Sequence, residues 1–546
     1  MKELQPMLFT SLKSYSKQQL IKDVVSGIIV AVIALPLSIA LALASGVGPE
    51  QGLYTAIIAG FLISFFGGST VQIAGPTAAF ATIVAGIVAE HGMSGLAVAT
   101  ILAGIFLVLM GIFHFGSLIK FIPYTITTGF TAGIAVTIVI GQLKDFFGVT
   151  YADGVKPVET MEKLSAFFDS FSSINVQALI VGLICLAILI IWPYINKQIP
   201  GSLIAVIVGI VLVKVLHMEV NTIGDLYTIS NHLPSFRMPE FSLGLVTKML
   251  PDAFTIAILA AIESLLSCVV ADGMVNTRHR SNMELVAQGI GNVGSALFGG
   301  IPATGAIART AANIKSGGRT PIAGMVHSVT LVLILVVLMP YAAWIPMPAI
   351  AAILFMVAYN MCQWRPFLHL VKTAPKSDIL VLVITFIFTI VFDLVVAIEI
   401  GMLLACLLFM KRMSDETDIH SWKYTSDAED PLSINLRQVP LHVRVFEITG
   451  PLFFGAAGQI AEINFKDFTK CLVLRMRGVP AIDATAMNAL EDLHKKCEKN
   501  NITLILSHVN EQPMRVMEKN GFIEKIGKEN FCANIDAALE RAKTLI

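Results

Sequence analysis

The sequence predicts an α-helical membrane protein with fourteen transmembrane segments in two inverted halves of seven, followed by a smaller α/β domain. Three observations carry that prediction. The residues are 55% hydrophobic and only 14% charged, and mean hydropathy is +0.76, well above a soluble domain. Two glycine- and proline-broken stretches, FFGGSTVQIAGPTAAFA from Phe65 and ALFGGIPATGAIARTAAN from Ala296, read as copies of one another. After MKRMSDETD, beyond Met410, the apolar runs stop and the chain becomes mixed and charged.

A helix crossing the hydrocarbon layer needs about 20 predominantly apolar residues. Full candidates are 24–44, 52–66, 93–113, 122–142, 176–195, 200–217, 252–273, 284–298, 321–340, 344–361, 377–393 and 395–411. Two shorter segments, Thr77–Ala89 and Arg309–Ser316, directly follow the broken stretches and complete the fourteen. The polar residues ahead of Val24 have no signal-peptide pattern. An even count puts both termini on one side. Lys2, Lys13, Lys17 and Lys22 lie there, as do Lys411 and Arg412 after the last span. Loops on the same side hold Lys120, Lys197, Arg278, Arg280, Lys315, Arg319, Arg365, Lys372 and Lys376. Positive-inside bias makes that side cytoplasmic, at a cell (inner or plasma) membrane. The short opposite loops SGVGPEQ and EHGMS carry no Lys or Arg. Lys144, Lys156, Lys163, Arg237 and Lys248 fall in two long opposite loops, where the bias is weak.

Seven is odd, so two halves of seven are inverted in the membrane. Phe66-Gly67-Gly68 aligns without gaps on Phe298-Gly299-Gly300, which sets Thr77 opposite Arg309. FIPYTITTGFTAG from Phe121 and WIPMPAIAAILF from Trp344 each open a span after Ile-Pro. Interrupted segments at matching places in two halves point to a transporter's binding site. Broken backbone cannot face lipid, so it lines a cavity or binds something. A half-helix starting near Pro76-Thr77 would aim free N–H groups and its positive dipole end at the membrane centre. Pro76 suits a first helical turn. A second half-helix starting near Ala308-Arg309 would face it, and two opposed N-termini make an anion site.

Arg309 adds a cation, which costs roughly 2.5–3.5 kcal/mol at mid-membrane on insertion scales. Its compensation is either a translocated anion or a static ion pair with Glu263, the lone ionisable residue mid-way along AFTIAILAAIESLLSCVVADGM. Glu263 is the candidate to bind or release a coupling H+, or with Ser267 one turn on to hold Na+. Thr77 and Gln72 would bond the solute or the broken backbone. Ser38, beside the Pro36 kink, lines the same cavity; Thr310 and Asn313 do so or cap helices. Asp393 and Glu399 read as interfacial, His114, His279 and His369 as solvated, and Ser316 to Gly318 as a helix stop. Seven cysteines without CxxC spacing exclude a disulfide framework and a zinc site. No metal, cofactor or enzyme motif is expected, and zero net charge gives no attraction to nucleic acid.

The tail reads as strand (HVRVFEIT), strand and helix (CLVLRMRG, then a helix capped by Asp483), strand (NITLILS) and two helices (EQPMRVMEKN, IDAALERAKTL). This is an α/β domain over 437–546, behind a linker over 413–436, with residues 1–21 as an N-terminal segment and 22–412 as the membrane domain.

ALPLSIALALASGVGPEQGLYTA, QIAGPTAAF, GGIPATGAIARTAANIKSGGRTP, ITGPLFFGAA and RGVPAIDATAMNAL together resemble the SulP family of anion transporters. That family includes sulfate and bicarbonate permeases and the animal exchangers related to prestin. The resemblance spans essentially the whole chain. It implies a core domain (segments 1–4 and 8–11) moving, elevator-like, against a gate domain (5–7 and 12–14). It also implies a cytoplasmic STAS domain with a cytosolic partner, a homodimer, and a small anion as substrate, sulfate first, then bicarbonate or a dicarboxylate. By position it implies an anion site at Gly75, Pro76, Thr77 and Ala78 with Ala308, Arg309 and Thr310, and coupling through Glu263, to protons more than to sodium. Phosphorylated STAS relatives have Ser or Thr directly after the Asp; here it is Ala484, followed by Thr485. A nucleobase permease of the same general fold, or a channel-like or sensory protein signalling through STAS, are the competing readings.

Overall fold

Long apolar runs leave the backbone no water to bond, so each must close its own hydrogen bonds as a helix. The computed structural model describes residues 4–117, 123–152, 155, 157–196, 199–392, 394–421, 439–465 and 468–546. The chain forms two compact units, Met1–Met402 and Leu403–Ile546.

The first unit opens with α1 (Lys17–Ala44), α2 (Pro49–Phe66) and α3 (Ala81–Ile112). Gly92, at φ +64°, breaks α3 into the third and fourth segments. α4 (Tyr124–Phe147), α5 (Val176–Ile195) and α6 (Gly201–Val215) complete the first half. α7 (Leu243–Val275), α8 (Ser281–Leu297), α9 (Ile307–Lys315), α10 (Ile322–Ala342), α11 (Met347–Cys362), α12 (Lys376–Val391) and α13 (Leu394–Asp415) form the second, α13 continuing past Met402, where the first unit ends. The starts are chemically marked. Ser16 and Ser242 cap α1 and α7 through Gln19 N and Leu245 N, Asn175 caps α5, and Pro49 opens α2. Among the described residues, seven helices are by themselves long and apolar enough to cross a membrane. The others are shorter or more polar, and α2 and α8 bury that polarity against neighbours.

Packing follows the repeat. α3 lies on α7 and α8, as α10 lies on α1 and α2; α4 lies on α12, as α11 lies on α5. Pro49 and Ser281, the first residues of α2 and α8, fall opposite one another in the gapless alignment that pairs Phe66 with Phe298. Two ribbons, β1 (Ala74–Gly75) and β2 (Thr304–Gly305), join the halves antiparallel, with Ala74 opposite Gly305 and Gly75 opposite Thr304.

Several boundaries differ from expectation. α1 starts at Lys17, inside the expected N-terminal segment, because Ser16 caps it there. Ahead of it a helical turn, Met7–Ser11, is pinned: Met7 N donates to Gly67 O, and Arg280 donates to Gln5 O and Thr10 Oγ1. α7 begins at Leu243, and Pro251 lies within it. His279 is not solvated; its ring Nδ1 lies 2.7 Å from Asp272 Oδ2, and Nε2 meets the Ser281 hydroxyl. His114, His369 and Glu399 are exposed. Lys120, Phe121, Ile122, Lys156, Lys197 and Asp393 lie outside the described residues.

In the second unit a sheet runs in the order β3 (Asp418–Ser421), β4 (Val443–Thr449), β5 (Cys471–Gly478), β6 (Thr503–Ser507), β7 (Phe531–Cys532). β3 is antiparallel to β4 and the remaining pairs are parallel. β3 falls in the expected linker and so belongs to the domain instead; residues 422–436 of that linker lie outside the described residues, as do 437 and 438. Strand alternation feeds two cores. Leu472, Leu474 and Met476 pack with Met487, Leu490 and Leu493 of α14 (Ala484–Lys499), while Cys471 and Val473 pack with Ile535, Ala538 and Leu539 of the last helix, Ile535–Lys543. Asp483 caps α14 through Ala486 N at 2.8 Å, as its sequence position predicts. Burial pushes the Cys497 thiol up to about 12, so it carries no thiolate chemistry at neutral pH.

Candidate functional site

The two broken stretches cross. α2 ends at Gly67, and the chain runs extended through β1 to Thr77 before a short 3-10 turn, Ala78–Phe80, leads into α3. The second stretch leaves α8 at Phe298, passes through β2 and enters α9 at Ile307. Ala306 N donates to Ile73 O at 2.9 Å, extending the ribbon. Both half-helices therefore start beside one crossing point. Neither start is capped by its own side chain: Ala306 has no acceptor, and Thr77 turns its hydroxyl elsewhere. The first-turn amides are left for a ligand or solvent.

Arg309 is the third residue of α9 and is 3% exposed. Its Nη2 donates to the Pro76 carbonyl. Its Nη1 is buried without a hydrogen-bond partner among the described residues. The guanidinium lies against Gly75, where a Cβ would run into Nη1. Glu263, half-buried in α7, accepts from Thr77 Oγ1 at 2.8 Å. Of the two compensations open to Arg309, the static Glu263–Arg309 ion pair is not formed: no salt bridge joins them among the described residues. They grip adjacent residues of the first half-helix start, one through the Pro76 carbonyl and one through the Thr77 side chain. A buried guanidinium whose protein partner is a carbonyl, with no carboxylate, suits an anionic ligand, since burying an uncompensated cation is costly. Gly75→Val is expected to drive the guanidinium off this contact and reduce anion binding at least tenfold, read as the ligand-induced shift in melting temperature.

The other expected residues divide. Ala78 is buried and Ala308 exposed at the two helix starts. Thr310 Oγ1 accepts from Ile73 N at 3.0 Å and lies 3.5 Å from Ser267 Oγ, so Ser267 is linked to Thr310 and not, as expected, to Glu263. Ser38 is fully buried beside Pro36, its hydroxyl unpartnered among the described residues. Gln72 is tied to side chains of α7 and α8, and Asn313 bonds backbone and a serine of α1. Gln72 Nε2 donates to Ser264 Oγ and Glu284 Oε1, both at 2.8 Å. Asn313 donates to Val71 O at 2.8 Å and accepts from Ser26 Oγ at 2.7 Å.

Residues outside the expected set carry the scaffold. Glu284 of α8 is fully buried. Its Oε2 accepts from Gly68 N (2.9 Å) and Ser69 N (3.2 Å); its Oε1 accepts from Gln72, Ser264 (3.2 Å) and Gln288 (2.9 Å). Asn292 clamps Ala303 by both its N–H (2.8 Å) and its carbonyl (2.9 Å), and Thr55 Oγ1 accepts from Ile301 N at 2.7 Å. Glu284, Gln288 and Asn292 recur every fourth residue, a polar stripe legible in the sequence of α8. Asp23, also fully buried, accepts from Arg319 N, Thr320 Oγ1 and Tyr15 OH, fixing the turn after α9. A cavity of about 910 Å³ between the start of α2 and the end of α8 is lined by Glu50, Tyr54, Arg237 and Phe298, but by none of the expected site residues. No His, Cys, Asp and Glu group is placed to hold a metal among the described residues.

The profile of the Sulfate permease family matches residues 20–385, and that of the STAS domain matches residues 433–538. YvdB of Bacillus subtilis, provisionally assigned as a sulfate transporter, is 39% identical over 527 residues, covering 95% of this chain and 97% of its own. The bicarbonate transporter BicA of Picosynechococcus is 31% identical, covering 95% and 94%. Among solved structures, murine Slc26a9 in its inward-facing state superposes with a TM-score of 0.88 at 19% identity over 99% of this chain and 94% of its own, a likeness of fold. The transmembrane domain of a cyanobacterial BicA gives 0.62 at 30% identity over 72% and 98%.

Proposed function

The chain belongs to the sulfate permease family and is a multi-pass membrane anion transporter with a C-terminal STAS domain, and from that premise we propose that it carries sulfate by secondary active, proton-coupled transport. The observation that supports an anionic cargo most directly is Arg309: a buried guanidinium without a carboxylate partner, set where two uncapped half-helices begin. Gly75 to Ala78 and Ala308 to Thr310 form the anion site in this reading. The 39% identity to YvdB favours sulfate; the relationship to BicA makes bicarbonate the second candidate. A nucleobase would leave the guanidinium uncompensated.

Alternating access fits the packing. α4, α5, α6, α11 and α12 pack on one another, and α1, α2, α3, α7, α8, α9 and α10 form the second group, which holds the site. The second group moves as a core against the first as a gate. The protein acts as a homodimer in the cell membrane, with both termini cytoplasmic by its lysine and arginine bias and the STAS domain meeting a cytosolic partner.

The test is uptake of labelled sulfate, bicarbonate and fumarate by proteoliposomes under imposed pH and Na+ gradients. Saturable sulfate uptake that accelerates with an inward proton gradient is expected. Linear, non-saturating flux would favour a channel, and uptake driven by Na+ alone would replace the proton. Glu263 is the coupling residue, because its carboxylate touches Thr77 at the half-helix start and so senses occupancy. Glu263→Gln is expected to keep anion exchange while losing the response to the pH gradient; an unchanged pH response excludes Glu263 as the relay.

A further inference from the structure

His327 lies in the second turn of α10, on the face it shares with Gly324, Ser328, Leu331 and Leu335, and is fully buried. Neither ring nitrogen has a hydrogen-bond partner among the described residues. A neutral imidazole always carries one N–H donor and one acceptor lone pair, and leaving either unmade in a buried place costs about 1–3 kcal/mol. Leucine would pack there without that cost, so the ring calls for an explanation.

Its surroundings supply one. Ser328, the next residue, donates to the Ala56 carbonyl at 3.3 Å. The Ala56 Cα stands 3.5 Å from the place where a Gly75 Cβ would be, which is also where the Arg309 guanidinium touches the backbone. The Ser328 hydroxyl and the Ala74 carbonyl likewise converge on Gly60. His327 thus sits one residue from the junction at which α2, α10 and β1 meet under Arg309. Arg309 and α10 each bring to this junction a buried group unpartnered among the described residues, and the two are complementary: Arg309 Nη1 can only donate, and an imidazole nitrogen can accept.

We propose that His327 is a positioning residue for Arg309, its unprotonated ring nitrogen accepting from Nη1 through one buried water. The guanidinium is then held against Gly75 with its remaining donors free for the anion. A water in this role would have the polar partners it needs, the guanidinium on one side and the imidazole on the other. The inference deepens the anion-transport reading and rests on it for the meaning of the Arg309 site, but not for the pairing itself.

The test uses the full chain and two readouts. In proteoliposomes, His327→Leu is expected to raise the KM for sulfate about tenfold, equivalent to about 1.4 kcal/mol, with Vmax changed less than about twofold, whereas His327→Asn, which keeps an acceptor, restores most of the affinity. In detergent, the change in melting temperature caused by His327→Leu is expected to differ by at least about 3 °C between the wild-type and Arg309→Met backgrounds, as a double-mutant cycle of interacting residues requires. Equal changes in both backgrounds overturn the proposal, as does an unaltered KM, or His327→Asn behaving like His327→Leu. Should the wild type carry none of the anions, the transport reading falls while the thermal cycle still decides the pairing. If His327→Leu fails to fold, His327→Ala against His327→Asn makes the same comparison.

Discussion

Replacing Arg309 by alanine is expected to abolish saturable anion uptake while the protein still folds and inserts. In this reading the guanidinium supplies the fixed positive charge of the site and N–H donors beyond the one given to the Pro76 carbonyl. Charge-assisted hydrogen bonds contribute roughly 1.5–3 kcal/mol each, so losing two lowers binding about a hundredfold or more. Folding survives because the one direct hydrogen-bond partner lost among the described residues is the Pro76 carbonyl, and removing a buried cation also removes its desolvation cost. Lysine should not rescue: a point charge on a flexible stem cannot reach the Pro76 carbonyl and an anion together as the planar fork does. Uptake within about threefold of wild type in Arg309→Ala, with equal protein in the membrane, would remove Arg309 from the site.

The second large effect is on stability. Glu284→Leu strips the acceptor from five donors: two backbone amides of the first interruption, the Gln72 and Gln288 amides and the Ser264 hydroxyl. Each buried donor left unsatisfied costs about 1–3 kcal/mol. The terms are not additive, because these groups share one network, yet an overall loss of at least about 3 kcal/mol is expected. Thermal melting of the detergent-solubilised chain, followed by size-exclusion fluorescence, measures it. Glu284→Gln should be intermediate, since Oε1 keeps its role while an NH2 now confronts the Gly68 and Ser69 amides. Melting of Glu284→Leu within about 2 °C of wild type would show that the carboxylate is not the anchor of this turn.

The sequence makes the framework legible because lipid imposes it. Hydropathy and the two Gly/Pro breaks are enough to find all fourteen segments, the place where the halves meet, and Arg309. Helix ends are less legible: α1 reaches back to Lys17 because a serine cap, not hydropathy, sets its start. The site is legible only in part. Arg309 and Glu263 stand out as lone charges in apolar runs, but pattern alone could not tell that they hold neighbouring residues, Pro76 and Thr77, instead of each other. Gln72 and Asn313 look the same in sequence whether they face a solute or the protein itself, and their partners, side chains for Gln72 and the Val71 carbonyl for Asn313, emerge only in the fold. Glu284 hides in the first turn of a helix, where an acidic residue is ordinary; only the Gln288 and Asn292 stripe behind it hints at burial. His327 leaves no local signal, because the helices α10 packs on, α1 and α2, lie far away along the chain.

The two-residue ribbon of Ala74–Gly75 with Thr304–Gly305 has a wider consequence. It stitches the two truncated helices into one unit, so the pocket cannot open by pulling one away from the other. Under the proposed alternating access, the anion would be gripped by the same atoms whether it came from the cytosol or from outside. Such a carrier has no intrinsic one-way bias: the net direction of its traffic is dictated by the gradients on either side.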